Sequence, residues 1–337
     1  MKIENREFLP KRSLSCHAAS ICFHPNGHPV FSWFEGTREG NSDVVIRLYN
    51  LNNDQKSILI GNRDVVPRWN PILFTFGQKI YLFEKMGEFC DRWQTLLHDI
   101  TDWSNEITAK QIVDGAQIIP AGLNGPVKTK PLQYGNFIYC GSSVETFMDW
   151  ASYIECYLYM DGKFSPYFRT NPLKTGKKHY QSPYNGATSL SLGIIQPSLW
   201  LDKDGNMNAF FRASYGLGRI FHSKTNRFGI AMDNEHKHWS EPRPIDIDNP
   251  NSSIDTVYIN DRLFLICNPV KIGRNPLVLF ELDSQFSPID SLVITDEIRE
   301  TTISGECSYP YMVEKDGKIH IVYTYGRSKI EYIVVAI

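Results

Sequence analysis

The sequence of 337 residues points to an all-β protein, a six-bladed β-propeller of four-stranded antiparallel blades, with residues 1–337 as a single domain. Three observations carry that expectation. Aromatic residues are abundant, with 17 Tyr and 19 Phe, and they suit pleated, half-buried surfaces better than helices. Apolar residues alternate at the period of a strand on either side of tight turns. The hairpin built this way then recurs six times.

Taken in order, the inner hairpins are expected near 17–40, 69–87, 128–145, 195–214, 253–270 and 308–327. Their turns fall at Asn26-Gly27, Gly77, Gly135-Asn136, Asp204-Gly205, Asn260-Asp261 and Asp316-Gly317, residue types that accept the backbone of a tight turn. Aligned on the proline of each first strand or its equivalent, the copies fall at Ala19, Pro71, Pro131, Pro197, Thr256 and Pro310, at intervals of 52, 60, 66, 59 and 54 residues. That spacing fits four short strands and their loops, which is one propeller blade. Outer strands are expected over 44–49, 93–98, 154–159 and 277–282. Degenerate D-x-x-x-W-S segments at 98–104 and 233–240 read as turns in which Asp accepts backbone bonds and Trp packs between blades. The stretch 169–193 is rich in Lys, Gly, Ser and Tyr and has no apolar period, so it reads as an inserted loop, a lid or a dimer contact.

Bulk properties narrow the function. A net charge of −2 gives no general affinity for nucleic acid or for an anionic membrane. The start, MKIENREFLPKRS, lacks a signal-peptide core, and no run approaches about 20 apolar residues, so a soluble cytoplasmic chain is expected. Seven cysteines form no C-x-x-C pair and read as free buried thiols. No G-x-S-x-G, H-E-x-x-H, phosphate-loop or dinucleotide motif is present, His236 and His238 read as surface residues, and neither metal nor cofactor is expected.

In a propeller the corresponding ends of the inner strands face one channel mouth, and here those ends are polar. First-strand starts carry His17, Asn70, Lys128, Lys130, Gln196, Asp255 and Tyr309; second-strand exits carry Arg38, Glu39, Glu84, Lys85, Glu145, Arg212, Asn268 with Arg274 beyond it, and Arg327. Such a ring suits a polar, anionic ligand. Arg38, Arg212, Arg274 and Arg327 are the informative members, because a guanidinium grips a carboxylate through two parallel hydrogen bonds. Tyr309 becomes a nucleophile if a carboxylate takes its proton, and Asp43, Glu39 and His17 are the candidates for acid/base work. The expected partner is an acidic oligosaccharide or glycoside, with a homo-oligomer also compatible.

Several segments together resemble the sialidase (neuraminidase) superfamily, in its BNR-repeat-like branch: CHAAS at 16–20, WFEGTREG at 33–40, RWNP at 68–71, GPVKTKP at 125–131, IQPSL at 195–199, NPNSSIDTV at 249–257, and SYPYMV with YTYGR across 308–327. The resemblance implies the same six-bladed propeller. It implies a glycosidase for a terminal acidic sugar, with Arg212, Arg274 and either Arg327 or Arg38 on the sugar carboxylate. Tyr309 is then the nucleophile, Glu145 its assistant and Asp43 the acid/base. Related propellers act on uronate or rhamnose linkages through a histidine, which keeps a lyase or rhamnosidase reading of His17 open. A non-catalytic carbohydrate-binding propeller is the third reading.

Overall fold

The computed structural model describes residues 1–10, 13–51, 57–61, 65–103, 109–146, 149–175, 193–214, 216–225, 239–298 and 302–337. These residues form six four-stranded antiparallel sheets, the blades of a six-bladed β-propeller, and one short helix, α1 (Ala109–Asp114). Segment 176–192 of the inserted loop, residues 233–238 of the second D-x-x-x-W-S segment, and with them His236 and His238, lie outside the described residues.

The chain divides into two compact units, Met1–Lys130 with Ile298–Ile337, and Pro131–Glu297. In the first unit one blade is β2 (Ser15–Phe23), β3 (Pro29–Gly36), β4 (Val45–Asn50) and β5 (Ser57–Ile60). The next is β6 (Arg68–Phe76), β7 (Lys79–Met86), β8 (Gln94–Asp99) and β9 (Gln117–Ile118). The third blade of this unit joins the two ends of the chain: β1 (Lys2–Phe8) pairs with β24 (Lys329–Ala336), which continues to β23 (Lys318–Tyr325) and β22 (Cys307–Lys315). Arg6 Nη1 donates to Glu331 Oε2 at 3.0 Å, and the Tyr323 hydroxyl donates to the same oxygen. The sequence pattern does not reveal β1, because an outermost strand exposes much of its surface and KIENREF carries charges where alternation would show.

The second unit holds β10 (Leu132–Tyr134), β11 (Phe137–Glu145), β12 (Trp150–Met160) and β13 (Lys163–Arg169) in one blade. A second contains β14 (Ile194–Leu201), β15 (Met207–Ala213), β16 (Arg219–Lys224) and β17 (Arg243–Asp248), and a third β18 (Asp255–Ile259), β19 (Arg262–Cys267), β20 (Leu277–Leu282) and β21 (Pro288–Thr295). The hairpin expected from residue 128 is shorter than its sequence window. Prolines 120, 126 and 131 remove ladder donors, so Lys128 and Lys130 sit in a loop ahead of β10.

A shared irregularity marks four innermost strands. The register skips between His17 and Ser20 in β2, Trp69 and Ile72 in β6, Ile195 and Ser198 in β14, and Ser308 and Tyr311 in β22. Within each skip one non-glycine residue is left-handed: Ala18 (φ 54°), Asn70 (φ 38°), Gln196 (φ 53°) and Tyr309 (φ 55°). Each is a β-bulge, which bends the strand and re-aims a side chain, and left-handed backbone costs about 1–2 kcal/mol at an ordinary L-residue. Serines just past two of the bulges join neighbouring blades. Leu73 N donates to Ser20 Oγ at 3.1 Å, and Thr256 N donates to Ser198 Oγ at 3.0 Å.

Between blades the inward faces make apolar clusters. In the first unit Phe34, Val44, Ile46, Leu73, Leu82 and Trp103 pack with the body of Tyr309. Asp99 accepts from Thr101 N and Oγ1 at 3.1 and 2.6 Å, which makes the 98–104 segment the Asp-turn with a packed Trp that the sequence suggests. In the second unit the ring of His222 lies 4.4 Å from Phe286 and 5.6 Å from Phe210, while its Nε2 bonds Asn208 Oδ1 at 3.0 Å.

Two outcomes follow for stability. A Cβ on Gly141 of β11 would stand 2.0 Å from the carbonyl oxygen of Pro197, so Gly141→Ala is expected to cost about 3 kcal/mol or more, read as a lower denaturant midpoint at unchanged slope. A slope that collapses with the midpoint instead would mean the fold itself is lost. Burial, with Lys224 adding to it, pushes the His222 pKa from 6.5 down to about 4. The unfolded chain therefore binds this proton more readily, so the His222 contribution is complete above pH 6.5 and is lost as pH falls towards about 4. Urea titrations at pH 7 and 4.5 should show a pH-dependent loss in the wild type that is smaller by roughly 2–3 kcal/mol in His222→Gln. Equal losses in the two proteins would remove His222 as the cause.

Candidate functional site

The first unit gathers a cluster around Tyr309. Its bulge turns the ring onto His17, with centroids 4.1 Å apart, and the far side of His17 meets Phe34 edge-on at 5.5 Å. His17 is wholly buried in this stack. Arg327, itself left-handed at φ 58°, donates through Nη1 to Glu39 and through Nε to Glu306. Burial works against the charge on Arg327, but the Glu39 and Glu306 carboxylates, and Tyr309 near them, outweigh it and hold the guanidinium above its ordinary pKa. Glu306 escapes sequence reasoning because it precedes the sixth repeat. Its only signal is a carboxylate two residues before Ser308.

The other expected residues of this unit take distinct places. Asp43 accepts from Thr37 N and Oγ1 at 2.8 and 2.9 Å, closing the loop that carries Arg38 and Glu39. Arg38 is exposed and makes no side-chain bond among the described residues. Asn70 is only 5% exposed, and its left-handed backbone sits at the bulge of β6. Its carboxamide bonds none of the described residues. Lys130 lies with its ammonium 5.6 Å from the Tyr311 ring. Glu84 belongs to the structure of its blade, accepting from Arg68 Nη1 at 2.8 Å and meeting His98 Nε2 at 2.8 Å.

The second unit brings two arginines to one residue. Arg212 Nε donates to Asn251 Oδ1 at 2.9 Å, and Arg274 Nη2 donates to the backbone oxygen of the same asparagine at 3.0 Å. Asn251 is left-handed at φ 62°, which turns its amide and carbonyl towards the two donors. Gln196 Oε1 accepts from Arg212 Nη1 at 3.0 Å, so the bulge of β14 orients this guanidinium as well. Glu145 pairs in register with Trp150, whose ring is 5.9 Å from the Arg212 guanidinium carbon. Asp255 is buried and accepts from Ser198 Oγ at 2.8 Å and from Thr256 N at 2.9 Å, a join between blades. Asn251 was legible only as part of the NPNSSIDTV segment; nothing in its residue type announces that two arginines meet there.

Amide and carbonyl oxygens accept hydrogen bonds from a guanidinium and fix its direction. Burial keeps Cys22, Cys156 and Cys267 protonated. All seven cysteines are free, and burial pushes Cys22 and Cys156 up to about 12. Among the described residues no group of three His, Cys, Asp or Glu is arranged to hold a metal ion.

The profile of the BNR repeat-like domain family matches residues 27–321. No curated protein sequence matches the chain. Among solved structures, a protein of unknown function from Dyadobacter fermentans is similar over 100% of this chain and 99% of its own, at 11% identity and a TM-score of 0.68. A Hadza microbial sialidase is similar over 96% of this chain and 66% of its own, at 8% identity and a TM-score of 0.64. The sialidase of Trypanosoma rangeli in complex with sialic acid is similar over 97% of this chain, at 13% identity and a TM-score of 0.61. This chain spans 55% of the trypanosomal enzyme. At these identities the likeness is one of fold.

Proposed function

The chain belongs to the BNR repeat-like domain family, and on that premise we propose that it is a glycosidase acting on a sugar that carries a carboxylate. The observation that carries the reading is the Tyr309 cluster. A tyrosine held on a strained bulge, packed at a tilt against His17 and set near Arg327 with its two glutamates, is a costly arrangement for a residue that only fills space. The arginine pair on Asn251 supports the acidic character of the substrate. The sialidases of the same fold, one of them bound to sialic acid, support the reaction class.

In this reading the Tyr309 oxygen, having given its proton to a carboxylate, bonds to the anomeric carbon as the glycosidic carbon–oxygen bond breaks. The leaving oxygen takes a proton from a carboxylic acid, for which Glu39 and Asp43 on the 37–43 loop are the candidates of the first unit. Water then attacks the anomeric carbon and the tyrosyl–sugar bond breaks; the water gives one proton to that carboxylate, the tyrosine oxygen takes its own back from the carboxylate that held it, and the configuration is retained. In the second unit Arg212 and Arg274 are the candidates for holding a carboxylate.

A panel of aryl glycosides of sialic and uronic acids, with products identified by mass, tests the proposal. Tyr309→Phe is expected to lose at least about 10³-fold in kcat while still binding the acidic sugar. Arg212→Ala is expected to weaken that binding by roughly 10–100-fold. Turnover that survives Tyr309→Phe removes the tyrosine as nucleophile, and an unsaturated product absorbing in the ultraviolet would mean a lyase. A wild-type protein that binds acidic sugars and cleaves none would be a carbohydrate-binding propeller.

A further inference from the structure

Lys128 is a buried cation that the reaction above does not use. Its side chain is almost wholly enclosed, at 2% exposure, although lysine is among the residues least often buried without partners. The route that brings it there is built. Asn124 O accepts from Lys85 Nζ and from Thr95 Oγ1, which pins the loop before Lys128 to the blade of β6–β9. Val127 and Thr129 on either side of it are buried too.

The Nζ of Lys128 then lies 3.5 Å from Ala19 O and 3.3 Å from Pro310 O. These two carbonyls follow the left-handed residues Ala18 and Tyr309, inside the register skips where β2 and β22 lose their ladder partners. The ammonium also stands 5.1 Å from the Tyr311 ring and 5.9 Å from the Tyr309 ring. One charge therefore meets both bulges and the face of the tyrosine that one of them carries.

We propose that Lys128 is the positioning residue for Tyr309: it clamps the bulges of β2 and β22 to each other and sets a fixed positive charge against the phenol it holds. The clamp rests on the bulge carbonyls, and the charge lowers the work of ionising the Tyr309 hydroxyl. Its part in catalysis rests on Tyr309 being the nucleophile; its part in the ionisation of Tyr309 does not. Among the described residues the titratable groups around Tyr309 include His17 from β2, Arg327 with Glu39 and Glu306 from the loops beside β3, β22 and β23, and Lys130 beside Tyr311. Lys128→Arg keeps both the clamp and the charge, so a shift that it reverses belongs to the lysine.

The experiment is a pH titration of the whole protein labelled with ¹³C at the tyrosine ζ carbon, the Tyr309 resonance being the one lost in Tyr309→Phe. In Lys128→Met the Tyr309 midpoint is expected to rise by about one pH unit, with Lys128→Arg recovering most of the difference. Turnover of the acidic glycoside should fall at least 10-fold (about 1.4 kcal/mol) in kcat with KM little changed. An unmoved midpoint in folded Lys128→Met overturns the proposal. Because coupling is reciprocal, ¹⁵N titration of the lysine ammonium groups gives a second measurement that does not depend on that variant folding. The Lys128 midpoint should fall in Tyr309→Phe, and an unchanged Lys128 midpoint also overturns the proposal. A shift of either midpoint in a protein that cleaves no glycoside would sink the glycosidase reading and leave this one standing.

Discussion

The structure depends on what happens to a backbone carbonyl when a strand skips its register. At Ala18, Asn70, Gln196 and Tyr309 the innermost strand turns left-handed for one residue, and the peptide that follows leaves the ladder. A buried carbonyl outside a ladder needs another partner, and it needs room among its neighbours. In the first unit the partner is the ammonium of Lys128, shared by Ala19 O and Pro310 O. In the second unit Pro197 O is received at Gly141, where any side chain would collide with it. The bulge is thus the device that turns a repeated hairpin into a set of differently aimed side chains.

Charge is distributed in two ways around these bulges. Arg47 meets Glu35 through two bonds of 2.7 and 2.5 Å, and Arg68 meets Glu84 at 2.8 Å, each pair inside one blade. Such pairs neutralise themselves and bind strands together. Arg212 and Arg274 also donate to neutral oxygens, those of Asn251 and Gln196, contacts that orient a guanidinium. Arg327 stands between these cases, tied to two glutamates yet beside the tyrosine. A left-handed backbone recurs at the residues that do the holding, Gln196, Asn251, Tyr309 and Arg327, as expected where strain is kept because a side chain must point one way.

Much of the fold was legible because blades repeat. Each inner hairpin has a turn of Asn, Asp or Gly and an alternating apolar face, and those signals are local. The first-strand prolines marked the bulges without revealing them: Pro71, Pro197 and Pro310 each follow a left-handed residue, but Pro131 does not. The strand Lys2–Phe8 was not legible, since its partner Lys329–Ala336 is more than 300 residues away along the chain. Nor were the places of the candidate residues. Asp43 and Arg38 look alike in a sequence, yet the first closes the Thr37 turn and the second is exposed.

Local pattern therefore determines the number of blades, their order and the polar character of their inner ends, because alternation and turn chemistry act between residues near in sequence. Tertiary structure alone decides which polar residues meet. Tyr309 meets His17 across 292 positions, Arg327 meets Glu39 across 288, and Lys128 reaches Pro310 across 182. Contacts of that range are set by the twist of the sheets, by chain closure through β1 and by the re-aiming of side chains at the bulges, none of which is written in the residues that come to touch.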